Sequence, residues 1–269
     1  MEFSVGYIAS ALVGVALGLT GGGGSIVTVP VLVYLFRIEP HMATGYSLFI
    51  VGATSLMGGI KSAIDGTVHY RKAIIFSMPA TIAIFLTRHY ILPHIPESIW
   101  TINSFAITRD MIMMTLFAIT MFIVSFRMIK KDSKGRSTTI REDNHHASTI
   151  VTGVIVGFLS GIIGAGGGFL IVPALIDFEK LPIKQAVGTS LVIIAINSLA
   201  GFLGDTNISG SIDFNFILTL SALSVAGVLL GGYLSRFIAS ENLKSGFGWF
   251  TLVMALFIFY KELLAEFIT

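Results

Sequence analysis

The sequence holds no cysteine, two tryptophans and seven prolines in 269 residues. Without cysteine there is no disulfide framework, no thiolate metal ligand and no dithiol redox couple. Charge is scarce too. Asp, Glu, Lys and Arg make up 12% of the chain, against about 25% in a soluble domain. The net charge of +2 is too small to suit a nucleic-acid partner. The opening "MEFSVGYIAS" lacks the basic region of a secretory signal, so its first apolar segment is expected to be retained.

Apolar residues and glycine are abundant. Hydrophobic residues make up 54% of the chain and mean hydropathy is +0.86. Apolar runs at 73–86, 111–126 and 214–234 approach the length of about 20 residues that a bilayer core requires of a helix. The runs are continuous rather than alternating, which excludes a β-barrel pattern. The expected fold class is an all-α integral membrane protein.

The chain also repeats itself. A shift of 143 lays positions 14–58 on 157–201 without a gap, and 16 of the 45 pairs are identical, matched Gly, Pro and Ser among them. A shift of 144 continues the match, with "GTVHY" at 66–70 on "GSIDF" at 210–214. Each half reads as five apolar segments, near 4–20, 26–36, 43–60, 73–92 and 110–128, then 149–163, 169–178, 187–204, 214–235 and 246–265. The first half carries about 11 extra residues at 98–108. The expected organisation is a first transmembrane repeat at 1–126, a linker at 127–148 and a second repeat at 149–269. The linker is polar and charged, and its adjacent His145 and His146 lack the spacing of metal ligands.

Basic residues are enriched in cytoplasmic loops, so the linker, with six of them, is placed inside. If each glycine run reverses the chain, 13 of the 17 basic residues fall inside; if each only kinks one helix, 10 do. The reversal is preferred. It puts both termini outside and gives each half an odd number of segments, so the repeats are of inverted topology, a pattern found in transporters.

"GLTGGGGSIVTVP" at 18–30 and "GIIGAGGGFLIVP" at 161–173 interrupt the apolar runs. In hydrocarbon, unpaired backbone groups cost several kcal/mol each, so such breaks persist only against protein or water. Each break is expected to present main-chain N–H groups and a positive helix end, with glycine allowing close approach of a ligand. The following helix should begin near Ser25 and Gly168, or at Pro30 and Pro173, which bias Val29 and Val172 toward extended backbone. The candidate anion site is therefore Gly21, Gly22, Gly23, Gly24, Ser25, Gly164, Gly166, Gly167 and Gly168. The outer Gly14, Gly18, Gly157 and Gly161 are small-xxx-small packing motifs. Neither run is followed by Gly-Lys-Ser/Thr, so a nucleotide loop is excluded.

A second repeated phrase, "ATGYSLFIVGATSLMGG" at 43–59 on "AVGTSLVIIAINSLAGF" at 186–202, adds Ser47, Ser190, Asn197 and Ser198. Their hydroxyls and amide can donate to an anion, or bond between helices. No helix interior shows a clear charge. Lys61, Asp65, His69, Arg88, Asp205 and Asp213 fall near helix ends, where snorkelling is the default, and Asp65, His69 and Asp205 are the candidates for proton coupling. Arg88, His89 and His94 are expected in an outer loop, and Tyr90 and Trp100 in an interfacial belt. No catalytic set lies within one bundle, so an enzyme is not expected, nor is any cofactor or metal.

These phrases resemble the sulfite exporter TauE/SafE family, the TSUP membrane permeases. The likeness rests on "GLTGGGGSIVTVPVL" and "GIIGAGGGFLIVPAL", each followed by A-x-G-x-S at 43–47 and 186–190. It continues through "GSIDF" at 210–214 and "VAGVLLGGYLSRFIASENLKSGFGWF" at 225–250. The resemblance implies transport, often export, of sulfur-containing anions such as sulfite or organosulfonates, driven by an ion gradient. The first half departs from the pattern: "IFLTRHYI" at 84–91 stands where the second half has the small-residue "VLLGGYLS" at 228–235. The expected partners are a small anion and the lipid bilayer. A coupling proton or cation, a homo-oligomer and an anion channel of the same architecture stay open.

Overall fold

The computed structural model describes residues 2–102, 105–129, 146–205, 213–235, 237–238 and 240–264. Residues 130–145 of the linker, with His145, and the loop at 206–212 lie outside the described residues, as does the side chain of Trp100.

The first half holds α1 (Glu2–Thr20), α2 (Gly23–Pro30), α3 (Pro40–Ile64), α4 (Tyr70–Leu86) and α5 (Arg109–Ile129). The second holds α6 (His146–Ile163), α7 (Gly168–Asp177), α8 (Ile183–Gly204), α9 (Phe214–Leu234) and α10 (Ser240–Phe259). A π-helical turn, Val31–Leu35, extends α2, and another, Thr87–Ile91, extends α4 into a 3₁₀ turn, Leu92–His94. The extra residues of the first half form an antiparallel hairpin of β1 (Ser98–Ile102) and β2 (Phe105–Thr108). Five described helical runs are long and apolar enough to cross a membrane: 40–64, 70–94, 109–126, 183–204 and 214–234.

The two short helices cannot cross. Gly23–Leu35 and Gly168–Asp177 span about 20 and about 15 Å at 1.5 Å per residue, against a core of about 30 Å. Each folds back along the helix before it. A Cβ on Gly24 would stand 2.3 Å from the Val13 carbonyl oxygen, and one on Gly6 would stand 2.3 Å from the Phe36 ring. In the second half, Gly167 meets Ser160, and Thr149, near the start of α6, donates to Glu179, beyond the end of α7. Both glycine runs therefore reverse the chain, as the charge distribution favours.

The helices pack the same way when the halves are exchanged. α1 lies on α9 and α6 on α4; α3 pairs with α8, α5 with α10 and α2 with α7. Detail follows the same rule. The His69 N–H donates to Thr189 Oγ1 at 2.9 Å, and the Asp213 N–H, 144 positions on, donates to Tyr46 Oη at 3.3 Å. Arg37 and Lys180, 143 apart, both take positive φ after the short helices.

α3 and α8 form the centre, while α1, α4, α6 and α9 turn apolar rows outward, such as Ile74, Met78 and Ile82 on α4. Those rows suit lipid. The small-xxx-small glycines let the inner pairs approach. A Cβ on Gly14 would stand 2.0 Å from the Ser224 carbonyl oxygen, and one on Gly157 would stand 2.4 Å from that of Ala80. The departure at 84–91 does not loosen this packing, because Thr87 fits against Gly161.

Two expectations are corrected. Of the two starts expected, the one near Ser25 and Gly168 is found, with the short helices beginning at Gly23 and Gly168, while Pro30 and Pro173 lie inside them rather than opening them. Pro30 occupies the last position of α2, and its missing N–H falls where the backbone widens into the π turn. Val29 and Val172 are accordingly helical. Arg88, moreover, is in no outer loop: α4 continues through it, and its side chain is wholly buried.

Candidate functional site

The first break is made by two residues. Gly21 takes φ +73° and Gly22 an extended φ of −159°, after which α2 begins. The second uses Gly164, Gly166 and Gly167, with φ of +73°, +63° and +72°. That region disfavours any residue with a Cβ. The two breaks touch: a Cβ on Gly22 would stand 2.2 Å from the Gly168 carbonyl oxygen, and one on Gly168 would stand 2.8 Å from Ser25 Oγ.

The breaks are stacked along the middle of α8. Gly21 lies against Val187 and Ser190, Gly168 against Ile194, and Gly166 against Ser198. On α3, Gly164 lies against Thr44 and Gly166 against Val51. Ser47 is three residues from Thr44 and four from Val51, so it shares their helical face, and it is fully buried. Ser190 and Ser198, eight apart on α8, thus bracket the place where the breaks meet.

The polar groups there fall into two sets. One is already bonded. Thr20 Oγ1 accepts from the Gly23 N–H at 2.7 Å, and Ser25 Oγ donates to the Gly22 carbonyl at 2.7 Å. Ser190 Oγ lies 2.8 Å from the carbonyls of Gly21 and Val187. Thr20 thus satisfies a break N–H, while Ser25 and Ser190 bond the Gly22 and Gly21 carbonyls. The other set is buried and lacks a partner among the described residues: Ser47 Oγ, Ser55 Oγ, Ser160 Oγ, Ser198 Oγ and Asn197 Nδ2. Buried polar groups are nearly always bonded, so these unpartnered groups on α3, α6 and α8 stand out.

Not every expected residue points at that place. Gly23 packs on Thr20 and Phe247, Gly24 on α1, and Gly167 on Ser160 and Val156, so these three close the hairpins. Asn197 turns toward α4, where its Oδ1 accepts from Thr81 Oγ1 at 2.7 Å. Ser190 serves the first break and Ser198 the second.

A cavity of about 330 Å³ opens beside the first break. It is walled by Gly18, Val187, Gly188 and Leu191, with Lys61 and Lys184 on its rim. Lys61 Nζ donates to the Leu229 carbonyl at 3.1 Å. The cavity's size suits a small hydrated ion, since one water occupies about 30 Å³ of liquid. Among the described residues no three His, Asp or Glu side chains gather as metal ligands.

Sequence reasoning missed one feature. Arg88 Nη1 donates to Asp205 Oδ2 at 2.7 Å, and both side chains are buried, at 0% and 1% exposure. Arg88 Nε and Nη2 have no partner among the described residues, and Nη2 is 2.4 Å from where a Gly164 Cβ would stand. Position alone suggested snorkelling at helix ends. The usable signal was the repeat, which sets Arg88 against Gly232.

Comparison with known proteins agrees with this architecture. The model of the family described as sulfite exporter TauE/SafE matches residues 7–258. A probable membrane transporter protein of Xylella fastidiosa (strain 9a5c) is 31% identical over 261 residues, covering 93% of this chain and 92% of that one. The probable membrane transporter protein YunE of Bacillus subtilis (strain 168) is 29% identical, covering 88% of this chain and 89% of its own. The probable membrane transporter protein MJ0441 of Methanocaldococcus jannaschii is 27% identical, covering 73% and 69%. No solved structure matches this chain.

Proposed function

This chain belongs to the sulfite exporter TauE/SafE family, and from that premise we propose that it exports small sulfur-containing oxyanions, sulfite or organosulfonates, by alternating access. It is a membrane transporter of that family. The proposal concerns what it carries and how.

The single observation that carries the reading is the meeting of Gly22 and Gly168, with Ser198 against the neighbouring Gly166 and Ser47 on the α3 face that Gly164 and Gly166 touch, both serine hydroxyls being fully buried and without partners among the described residues. An anion held there has the N-terminal ends of two short helices, each a source of positive potential. Neutral donors bind it without the cost of burying a fixed charge. In this reading Gly21, Gly22, Gly166 and Gly168 let the anion reach the main chain. Ser47 and Ser198 donate to it, while Ser25 and Ser190 hold the first break in shape and Asn197 joins α8 to α4. Gly23, Gly24, Gly164 and Gly167 set the two reversals.

The repeats at 1–126 and 149–269 are placed in inverted topology, with the linker cytoplasmic and the termini outside. The exchange-symmetric packing of α1 on α9 and α6 on α4 supports that arrangement. The cavity beside Gly18 then faces the cytoplasm, as an exporter awaiting cargo requires.

Purified protein in liposomes tests the function. Sulfite flux that saturates, and that is accelerated by sulfite on the opposite side, is the expected result. Large unitary currents without such counterflow would replace the carrier with a channel.

A further inference from the structure

The cavity beside the first break has an exact positional counterpart that is filled. A Cβ on Gly58, in the cavity wall, would meet Val228 and Leu191 at 3.1 and 3.2 Å. Its repeat partner Gly201 meets Ile84 and Leu48, the repeat partners of those two residues, at 2.6 and 3.3 Å. These wall contacts correspond, and the difference that matters lies at position 232. There the cavity has a glycine, and the equivalent position 88 has an arginine.

We propose that the Arg88–Asp205 pair is the stopper of a second vestibule, the counterpart of the open one, and that the guanidinium is the charged donor an oxyanion meets when that vestibule opens. The inference rests on the alternating-access reading above. Arg88 reaches from α4 to Asp205, the residue that ends α8, and so ties together the two elements that would have to part. Asp205 falls on Lys61 or Ser62 in the repeat register. The open side therefore has Lys61 and Asp65 in the cavity lining beside a glycine, where the closed side has a fully buried ion pair.

The guanidinium is only partly used. Nη1 is taken by Asp205, while Nε and Nη2 lack partners among the described residues. That free edge is a planar two-donor fork, which fits two oxygens of one oxyanion. Nη2 lies beside Gly164, at the entrance to the second break. A buried pair of this kind is weak evidence for stability, whereas a latch needs a contact that can be exchanged. An arriving or departing anion can supply the exchange.

The absence of cysteine permits a direct test. Ser62→Cys places a thiol in the open cavity and Leu48→Cys places one behind Arg88. Each is probed with a membrane-impermeant maleimide in the otherwise unaltered chain, in Asp205→Asn and in Arg88→Gln. Ser62→Cys should react in all three. Leu48→Cys should stay unreactive in the unaltered chain and react at least tenfold faster in both variants. An unreactive Leu48→Cys in variants that elute as single species would overturn the proposal. If neither variant folds, Arg88→Cys with Asp205→Cys, joined by a bifunctional thiol reagent, should stop flux reversibly, and undiminished flux would be contrary. Absence of sulfite counterflow in the unaltered chain would instead remove the carrier reading and leave the labelling result to speak for the stopper alone.

Discussion

Gly22 and Gly168 lie so close that a Cβ on the first would stand 2.2 Å from the carbonyl oxygen of the second. Two residues 146 positions apart are thus in main-chain contact at the point where both short helices begin. No side chain fits between them, and this contact explains why the apolar halves of the chain each spend several positions on glycine.

The first prediction concerns that contact. Gly166 has φ +63°, and a Cβ there would stand 2.1 Å from Ser198 Oγ. Strain in the left-handed region and overpacking each cost about 1–3 kcal/mol. Gly22→Val and Gly166→Val should each reduce flux by at least tenfold and lower the thermal midpoint. Assays in liposomes and unfolding in detergent read the two effects. Gly66 also has a positive φ, but nothing lies within 4 Å of its added Cβ, so Gly66→Ala should leave flux near normal.

The serines should divide by their bonding. Ser190 holds a break carbonyl, so Ser190→Ala should cost about 0.5–1.5 kcal/mol of stability. Ser47 and Ser198 have no partner among the described residues. Ser47→Ala and Ser198→Ala should keep the melting temperature and raise KM for the anion several-fold. Equal stability losses at all three positions would assign them a purely structural role.

Asn197 offers a third check. Thr81→Val would leave Asn197 Oδ1 buried without its donor, at a cost of about 1–3 kcal/mol. Thermal unfolding should report the loss. Asn197→Leu with Thr81→Val removes both partners, and it should be less destabilising than Thr81→Val alone.

The buried ion pair gives a fourth. Arg88→Met alone takes the buried cation away from the Asp205 carboxylate, a change that typically costs about 3–5 kcal/mol. Arg88→Met with Asp205→Leu replaces the pair by apolar groups and should recover most of that stability. The double-mutant comparison reads the coupling directly.

Much of this was legible beforehand because membrane helices announce themselves by length. The ten segments, the reversals at the glycine runs and the bracketing serines Ser190 and Ser198 follow from apolar runs, charge placement and the repeat. What stayed hidden depends on contacts between distant positions. Arg88 and Asp205 are 117 residues apart, and each alone looks like a helix-end charge. The prolines misled because a proline near the end of a short helix sacrifices a hydrogen bond that the π turn after Pro30 gives up anyway. The hairpin at 98–108 was read only as added length. Its β-branched and aromatic residues in "SIWTI" and "FAIT" were the available signal.

The most direct test is calorimetric titration of sulfite, with sulfoacetate and acetate beside it, onto purified protein and onto Gly166→Val. One sulfur oxyanion bound per chain, and none by a Gly166→Val protein that still elutes as a single species, is the predicted outcome. Undiminished affinity in that variant would place the anion elsewhere and contradict the account.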